Sequence, residues 1–253
     1  MLFFPFLKIS WPKERVIYQR VFALFAAMIG IGLLFYCLLL CWNKEIATIA
    51  FLLAFTPTAT AAPVVMTLLK RNVEYVVTAV IVTNLLTALS LPFVLNQINS
   101  GITDVAPAQM LFSTLVVVLV PLGVAQFVKS FFAKIADALI SLKQLPLYIW
   151  LLILYLATSK ASAYLLNSAV SLSLVVGVAT IAFLLCVVNF YIGYHLGGTR
   201  YAVEASQSLG QKNTMFTTWV ALEFVSPVAA LGPVFYLIFQ NIYNSVLLSR
   251  ANR

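Results

Sequence analysis

The sequence is poor in charge, in histidine and in cysteine, and each scarcity removes a class of function. Charged residues make up 9% of the 253 positions, too few to cover the surface of a water-soluble domain. The one histidine, His195, closes the apolar run NFYIGYHLGG. Neither a metal cluster nor a Ser-His-Asp arrangement can be assembled around it, so an enzyme is not expected. The three cysteines, Cys37, Cys41 and Cys186, all sit inside apolar runs with no second ligand at metal spacing. They read as packing residues, and neither a metal nor a cofactor is expected. Fifteen Lys and Arg against seven Asp and Glu leave a net charge of +8, but no basic run carries interleaved aromatics. Nucleic acid is therefore not an expected partner. The opening MLFFPFLKISWPKER, broken by Pro5 and Pro12, has no basic leader ahead of its apolar part and no small-residue cleavage site. It reads as an interfacial segment over residues 1–16 rather than a secretory signal.

What is abundant is apolar. Hydrophobic residues are 63% of the chain, with a mean hydropathy of +1.04. Eight apolar runs, 17–42, 46–69, 73–97, 109–131, 145–166, 168–197, 200–224 and 227–249, are each near or above the ~20 residues that a helix needs to cross a bilayer. The fold expected is all-α and polytopic, and the lipid bilayer is its first partner. With eight crossings both ends lie on one side. That side collects twelve basic residues, among them Lys70, Arg71, Lys129, Lys134, Arg200 and Arg250, while the other side has Lys44 and Lys160. The asymmetry places both termini in the cytoplasm of a cell that carries this protein in its inner or plasma membrane.

In that orientation runs six to eight cross opposite to runs one to three, the plan of an inverted repeat. The middle member of each triplet is irregular. Run two, EIATIAFLLAFTPTATAAPVVMTLLK, has Pro57 and Pro63 in its middle with Thr56, Thr58 and Thr60 around them. Each proline removes a backbone donor, and in lipid the freed carbonyls need protein, water or ligand. Run seven, RYAVEASQSLGQKNTMFTTWVALEF, carries Gly210 at mid-span, read as the residue that permits unwinding, beside Gln211, Lys212 and Asn213. A lysine at mid-bilayer costs roughly 2.5–3.5 kcal/mol on insertion scales and marks a functional site by default. Two broken helices in matching positions of two inverted triplets point to a transport site at the midplane, and half-helix N-termini there suit an anion.

FTPTATAAPVVMTLLKRN, NFYIGYHLGG, SLGQKNTMFTTWVAL and ALGPVFYLIFQNIYNS, in this order, resemble the bile acid:sodium symporter family, over about residues 19–248 and most specifically in the last fifty. The resemblance implies a carrier in which a core, here 17–97 and 168–249, rocks against a panel, here 109–166, with two discontinuous helices crossing in the core. It implies a small organic anion as substrate and allows a homo-oligomer. Bacterial members have ten crossings, so two panel helices would precede Met1, in a shortened member or a truncated product.

The resemblance carries over unevenly. Where the family's first crossing helix supplies Ser and Asn to a sodium ion, this chain has Ala62 and Pro63, and two hydroxyl ligands on the next span fall at Val76 and Val80. The family's Glu-x-Gly-x-Gln-Asn becomes Ser208-Leu209-Gly210-Gln211-Lys212-Asn213, with Ser208 in place of the shared Glu and Lys212 in place of the Gln. A competing register sets Glu204 on the family's Glu. Gln19 resembles a sodium-ligand glutamine. Hard cations want several oxygen ligands and are repelled by an ammonium. The expectation is therefore transport uncoupled from sodium at the usual sites, facilitative or proton-linked, with Lys212 as tethered cation or proton carrier. The alternative for Lys212 is a salt bridge to Glu204 or Glu223. Thr60 and Asn213 match family positions that contact substrate, with Thr58 and Gln211 next. Asn84, Asn189 and Asn241 read as interhelical glue. Two other readings remain open: a metalloid oxyanion exporter, as in a related family that uses a cysteine in a broken span, and a membrane scaffold that transports nothing.

Overall fold

The computed structural model describes residues 14–98, 107–132 and 171–251 continuously, with Phe3 and isolated positions between 134 and 163. The expected interfacial segment up to residue 13, the loop at 99–106 and almost all of the run 145–166 lie outside the described residues. Among those described the protein is all-α. Its helices are α1 (Arg15–Leu40), α2 (Lys44–Phe55), α3 (Ala62–Leu68), α4 (Val73–Ile98), α5 (Pro107–Phe131), α6 (Leu172–Gly210), α7 (Thr214–Phe224) and α8 (Leu231–Ala251), the last preceded by a 3-10 turn at Val228–Ala230. Five stretches are individually long and apolar enough to cross a membrane, over Arg15–Leu40, Val73–Ile98, Ala108–Phe131, Leu172–Gly210 and Val228–Ala251. Large apolar side chains such as Leu38, Phe112, Phe131 and Tyr191 are exposed along these helices, as lipid-facing residues are.

The remaining helices are halves. At 1.5 Å per residue α2 is ~18 Å long and α3 ~10 Å, each too short alone for a ~30 Å hydrocarbon core. Sequence explains where they part. The residue before a proline is pushed out of the helical region, and Thr56, before Pro57, has φ −58° and ψ 131°. The second proline does the reverse. Pro63 sits in the first turn of α3, where its missing N–H costs nothing. One proline ends a half-helix and the other begins the next. The start of α2 is fixed by Asn43, whose Oδ1 accepts a hydrogen bond from the Ile46 amide at 3.0 Å. Every residue from Ile46 to Phe55 is buried, so α2 is enclosed by protein on all sides.

At 39 residues α6 would run ~58 Å if straight, nearly twice a membrane core. It bends instead at Gly198 (φ 60°, ψ −158°) and Tyr201 (φ −125°, ψ 26°). A positive φ is open to glycine without penalty. Arg20 of α1 packs against the bend and donates from Nη1 to the Leu196 carbonyl at 2.8 Å, closing the first part of the helix. The second part returns inward and stops at Gly210. Gly210 is not the unwinding residue that the sequence suggests, since its φ is not positive. It is required for close approach: a Cβ there would run into the Phe190 ring. The chain leaves the helix one residue later, at Gln211 (φ −86°, ψ 101°).

Candidate functional site: two helix breaks bonded to each other

The two interrupted stretches, 56–61 and 211–213, meet. Thr58 and Lys212 pair as a single antiparallel bridge. The Ala59 amide donates to the Gln211 carbonyl and the Asn213 amide to the Pro57 carbonyl, each at 2.8 Å. Backbone groups freed by one break are thus met by the other, as the apolar surroundings demand.

The carbonyls at the C-terminal end of α2 find other donors. Thr56 Oγ1 donates to the Leu52 carbonyl at 2.7 Å, and Asn84 Nδ2, on α4, donates to the Thr58 carbonyl at 3.1 Å. Lys212 supplies the rest. Its Nζ donates to the Ala54 carbonyl at 2.8 Å and to the Thr56 carbonyl at 3.0 Å. The residue is 1% exposed. A cation at a helix C-terminus is stabilised by the free carbonyls and the negative end of the helix dipole. The Lys212 backbone is held by Gln240 of α8, whose Oε1 accepts from its amide at 2.8 Å. Among the described residues no carboxylate pairs with Lys212, and the Glu204 alternative gives way to this carbonyl cap. Glu204 Oε1 instead accepts from the Asn72 amide at 3.1 Å. Glu223 lies at the far end of α7.

The other expected residues divide by what their side chains do. Thr58 is fully buried, and its hydroxyl donates to the Ser208 carbonyl at 2.6 Å, while its amide donates to Thr83 Oγ1 at 3.0 Å. Its polar groups are committed to joining the breaks. Asn213 caps α7, accepting from the Phe216 amide at 3.3 Å, and its Nδ2 donates to Asn84 Oδ1 at 3.1 Å. Ser208 Oγ donates back to the Glu204 carbonyl at 2.8 Å. Thr60 and Gln211 are different: among the described residues their side chains hydrogen-bond to nothing. Gln211 is 5% exposed and its Oε1 is buried without a partner. Both line a small pocket that opens to the outside, together with Asn213, Gln240 and Asn241. Gln19 is exposed on α1 and, among the described residues, hydrogen-bonds to none of the residues in the two breaks. Ala62, Val76 and Val80, where the resemblance would put sodium ligands, are buried and apolar.

Three further residues belong to this site, two of which, Gln240 and Thr217, sequence reasoning left out. Asn84, read as glue, holds Thr58 and Asn213 at once. Gln240 holds the Lys212 backbone from both sides, donating from Nε2 to its carbonyl at 3.4 Å. Thr217 places its hydroxyl 2.7 Å from that of Thr56, tying α7 to the end of α2. The signal available was an amide in the middle of an apolar run, at positions 84 and 240. Nothing in sequence distance pairs either with its partner.

A chain that buries two hydrogen-bonded helix breaks and a lysine among membrane-crossing helices has the form of a carrier. Residues 6–168 match the model of the Sodium Bile acid symporter family, which is more than half of the chain. The chain belongs to that family. No curated protein matches it. Membership in the Sodium Bile acid symporter family makes the protein a multi-pass membrane protein and a secondary transporter of the organic-anion type. The matched stretch contains the first break and ends before the second, so it does not take in the last fifty residues or Lys212. The residues of the second break stand on their geometry alone.

Proposed function

We propose that this protein carries a small organic anion across the membrane by alternating access, binding it in the pocket where the two breaks cross. The observation that carries the reading is the division of labour at the crossing. The charge of Lys212 is spent on the carbonyls that end α2, while Thr60 and Gln211 stand uncommitted at the pocket. Thr60 Oγ1–H and the Gln211 amide are the donors that would meet a carboxylate, with Asn213 behind them at the positive end of the α7 dipole. Thr58 is a positioning residue, and Asn84 is another.

Counting each pair of half-helices as one crossing, the described residues supply seven, and the run 145–166 is the eighth of the proposed architecture. In it α1, α2–α3 and α4 correspond to the first part of α6, its second part with α7, and α8, in inverted orientation, each triplet broken in its middle member. The membrane is the inner or plasma membrane, with both termini in the cytoplasm. Lys212 is a tethered cation: it does for the end of α2 what a bound sodium ion would do, so transport does not use sodium at the family's usual sites.

The test is uptake into proteoliposomes of pyruvate, pantoate and taurocholate at equal pH, with a sodium gradient or with choline in its place. Saturable uptake of at least one anion, equal in both conditions, is expected, with a raised KM in Thr60→Ala and Gln211→Ala. A sodium requirement overturns the tethered-cation role. Absence of saturable uptake of all three overturns the choice of substrate class. Cys37, Cys41 and Cys186 all lie outside the two breaks, which gives the metalloid exporter no thiol at the crossing.

A further inference from the structure

One buried proline has no part in the crossing. Pro92 lies inside α4 and is buried there. A proline within a helix takes away the amide that would serve the carbonyl four residues earlier. For Pro92 that carbonyl belongs to Ala88. In apolar surroundings it needs another donor. The donor comes from the next helix: Thr114 Oγ1 of α5 lies 3.0 Å from the Ala88 carbonyl, and both residues are fully buried. The same hydroxyl lies 2.9 Å from the Met110 carbonyl and 3.1 Å from that of Leu111, in its own helix. A threonine has one proton to give. Met110 and Leu111 stand inside α5, where the amides of the following turn serve their carbonyls. The Ala88 carbonyl has lost that service, so the proton goes to it.

The place of this bond matters. Among the described residues of α5 the buried ones are Met110, Thr114, Val118 and Ala125, a narrow seam, and α4 is the helix that α5 packs on. Of these only Thr114 is polar; the contacts of the others have no preferred direction. α4 in turn is fastened to the crossing. One turn before Ala88, Thr83 Oγ1 accepts from the Thr58 amide at 3.0 Å, and Asn84 donates to the Thr58 carbonyl and accepts from Asn213. Beyond Pro92, the Tyr36 hydroxyl of α1 donates to the Ile98 carbonyl at 3.2 Å. α4 is thus held by the crossing and by α1, and it holds α5 at Ala88.

We infer that Pro92 and Thr114 are positioning residues of this carrier: the Ala88 carbonyl that Pro92 releases is the pivot on which α4, and the crossing fastened to it, turns against α5. This rests on the proposed alternating access. A pivot has to hold while the packing around it changes. A hydroxyl on a carbonyl does so, because the hydrogen-bond directions at a carbonyl oxygen are broad. The apolar residues of the seam on either side of Thr114 slide without a bond to break. A displacement of Thr58 or Asn213 reaches Ala88 through a single turn of helix, so the pocket and the pivot move together.

Two measurements separate the bond, the pivot and the transport reading. The first is a double-mutant cycle of Tm on purified protein and needs no substrate. Thr114→Val, which keeps the shape and loses the proton, should lower Tm by about 2–4 °C, and Thr114→Ser should not. Pro92→Ala returns an amide to the Ala88 carbonyl, so in that background Thr114→Val should lower Tm by less than half as much. The second is uptake into proteoliposomes, per folded molecule, of whichever of pyruvate, pantoate and taurocholate wild type moves. Pro92→Ala should be at least as stable as wild type and yet lower the maximal rate about tenfold with KM unchanged. Thr114→Val should slow uptake in the same way, and Thr114→Ser should restore it. A bond that is only structural would cost Tm and leave the rate of Pro92→Ala at the wild-type value. Additive losses in the cycle, or a Pro92→Ala rate equal to wild type, overturn the inference. A coupled cycle in a protein that moves none of the three anions upholds the bond between Thr114 and Ala88 and overturns the transport reading and the pivot with it.

Discussion

Lys212→Met should destabilise the protein modestly, and Lys212→Ala should make its stability sensitive to added cations. Methionine has nearly the length of lysine and no charge, so packing is conserved while the two bonds to the Ala54 and Thr56 carbonyls are lost. Hydrogen bonds to charged groups contribute roughly 1.5–3 kcal/mol each. Against this stands the cost of keeping a lysine at membrane depth, roughly 2.5–3.5 kcal/mol. Taking the middle of each range, the net loss is about 1.5 kcal/mol, or a fall in Tm of a few degrees for a chain of this size.

The informative quantity is rescue. In Lys212→Ala, which removes the side-chain volume as well as the charge, the two carbonyls that end α2 face a space that a small cation can enter. A small cation at about ten times its dissociation constant should restore about 1.4 kcal/mol, which is several degrees of Tm. The assay is thermal unfolding of purified protein in sodium chloride, methylammonium chloride or N-methylglucamine chloride at equal ionic strength. Wild type should melt at one temperature in all three. The variant should gain stability in sodium or methylammonium over the bulky cation. A variant as stable as wild type, or a sodium-specific gain in wild type, refutes the argument that the ammonium serves as the cation of this site.

Gly210→Ala should cost about 1–3 kcal/mol, because its Cβ would run into the Phe190 ring; paired with Phe190→Leu the loss should be smaller than the sum of the two single losses, as a double-mutant cycle of Tm would read. Asn84→Ala removes the donor to the Thr58 carbonyl and the partner of Asn213 together, so it should lower the maximal rate of anion uptake at least tenfold in vesicles, whereas Gln19→Ala, at an exposed position of α1, should leave uptake unchanged with or without sodium.

Much of this was legible in the sequence, for reasons that differ by residue. Pro57 and Pro63 act locally: one forbids helix at Thr56 and the other seeds α3, so the first break could be read from the eight residues 56–63. The second break was legible from polarity, since Gln211, Lys212 and Asn213 cannot sit together in lipid, but not from Gly210, whose role depends on Phe190 twenty residues away. The bend at Gly198 was legible as the gap between the runs 168–197 and 200–224, though not that the helix carries on beyond it. Asn84 was visible as an intramembrane amide with no stated partner and Gln240 was passed over, because a side-chain amide 26 or 28 positions from its target leaves no periodicity.

On the proposed reading, the lysine at 212 and the apolar residues where the resemblance would put sodium ligands are best understood together. A broken helix in a membrane leaves carbonyls at the C-terminal end of its first half, and in α2 those of Ala54 and Thr56 must meet positive charge or donors. A mobile ion can supply that charge, at the cost of needing oxygen ligands elsewhere to hold it. A tethered ammonium supplies it without them, so the positions now held by Ala62, Val76 and Val80 are free to become apolar packing. The reverse order does not work. Removing the other ligands first would leave the end of α2 bare, and adding lysine to an intact cation site would place two positive charges side by side. On this argument Lys212 and the three apolar residues are coupled. Restoring hydroxyls at Val76 and Val80 in the presence of Lys212 should create buried, unpaired donors and a lower Tm, not a sodium requirement for transport.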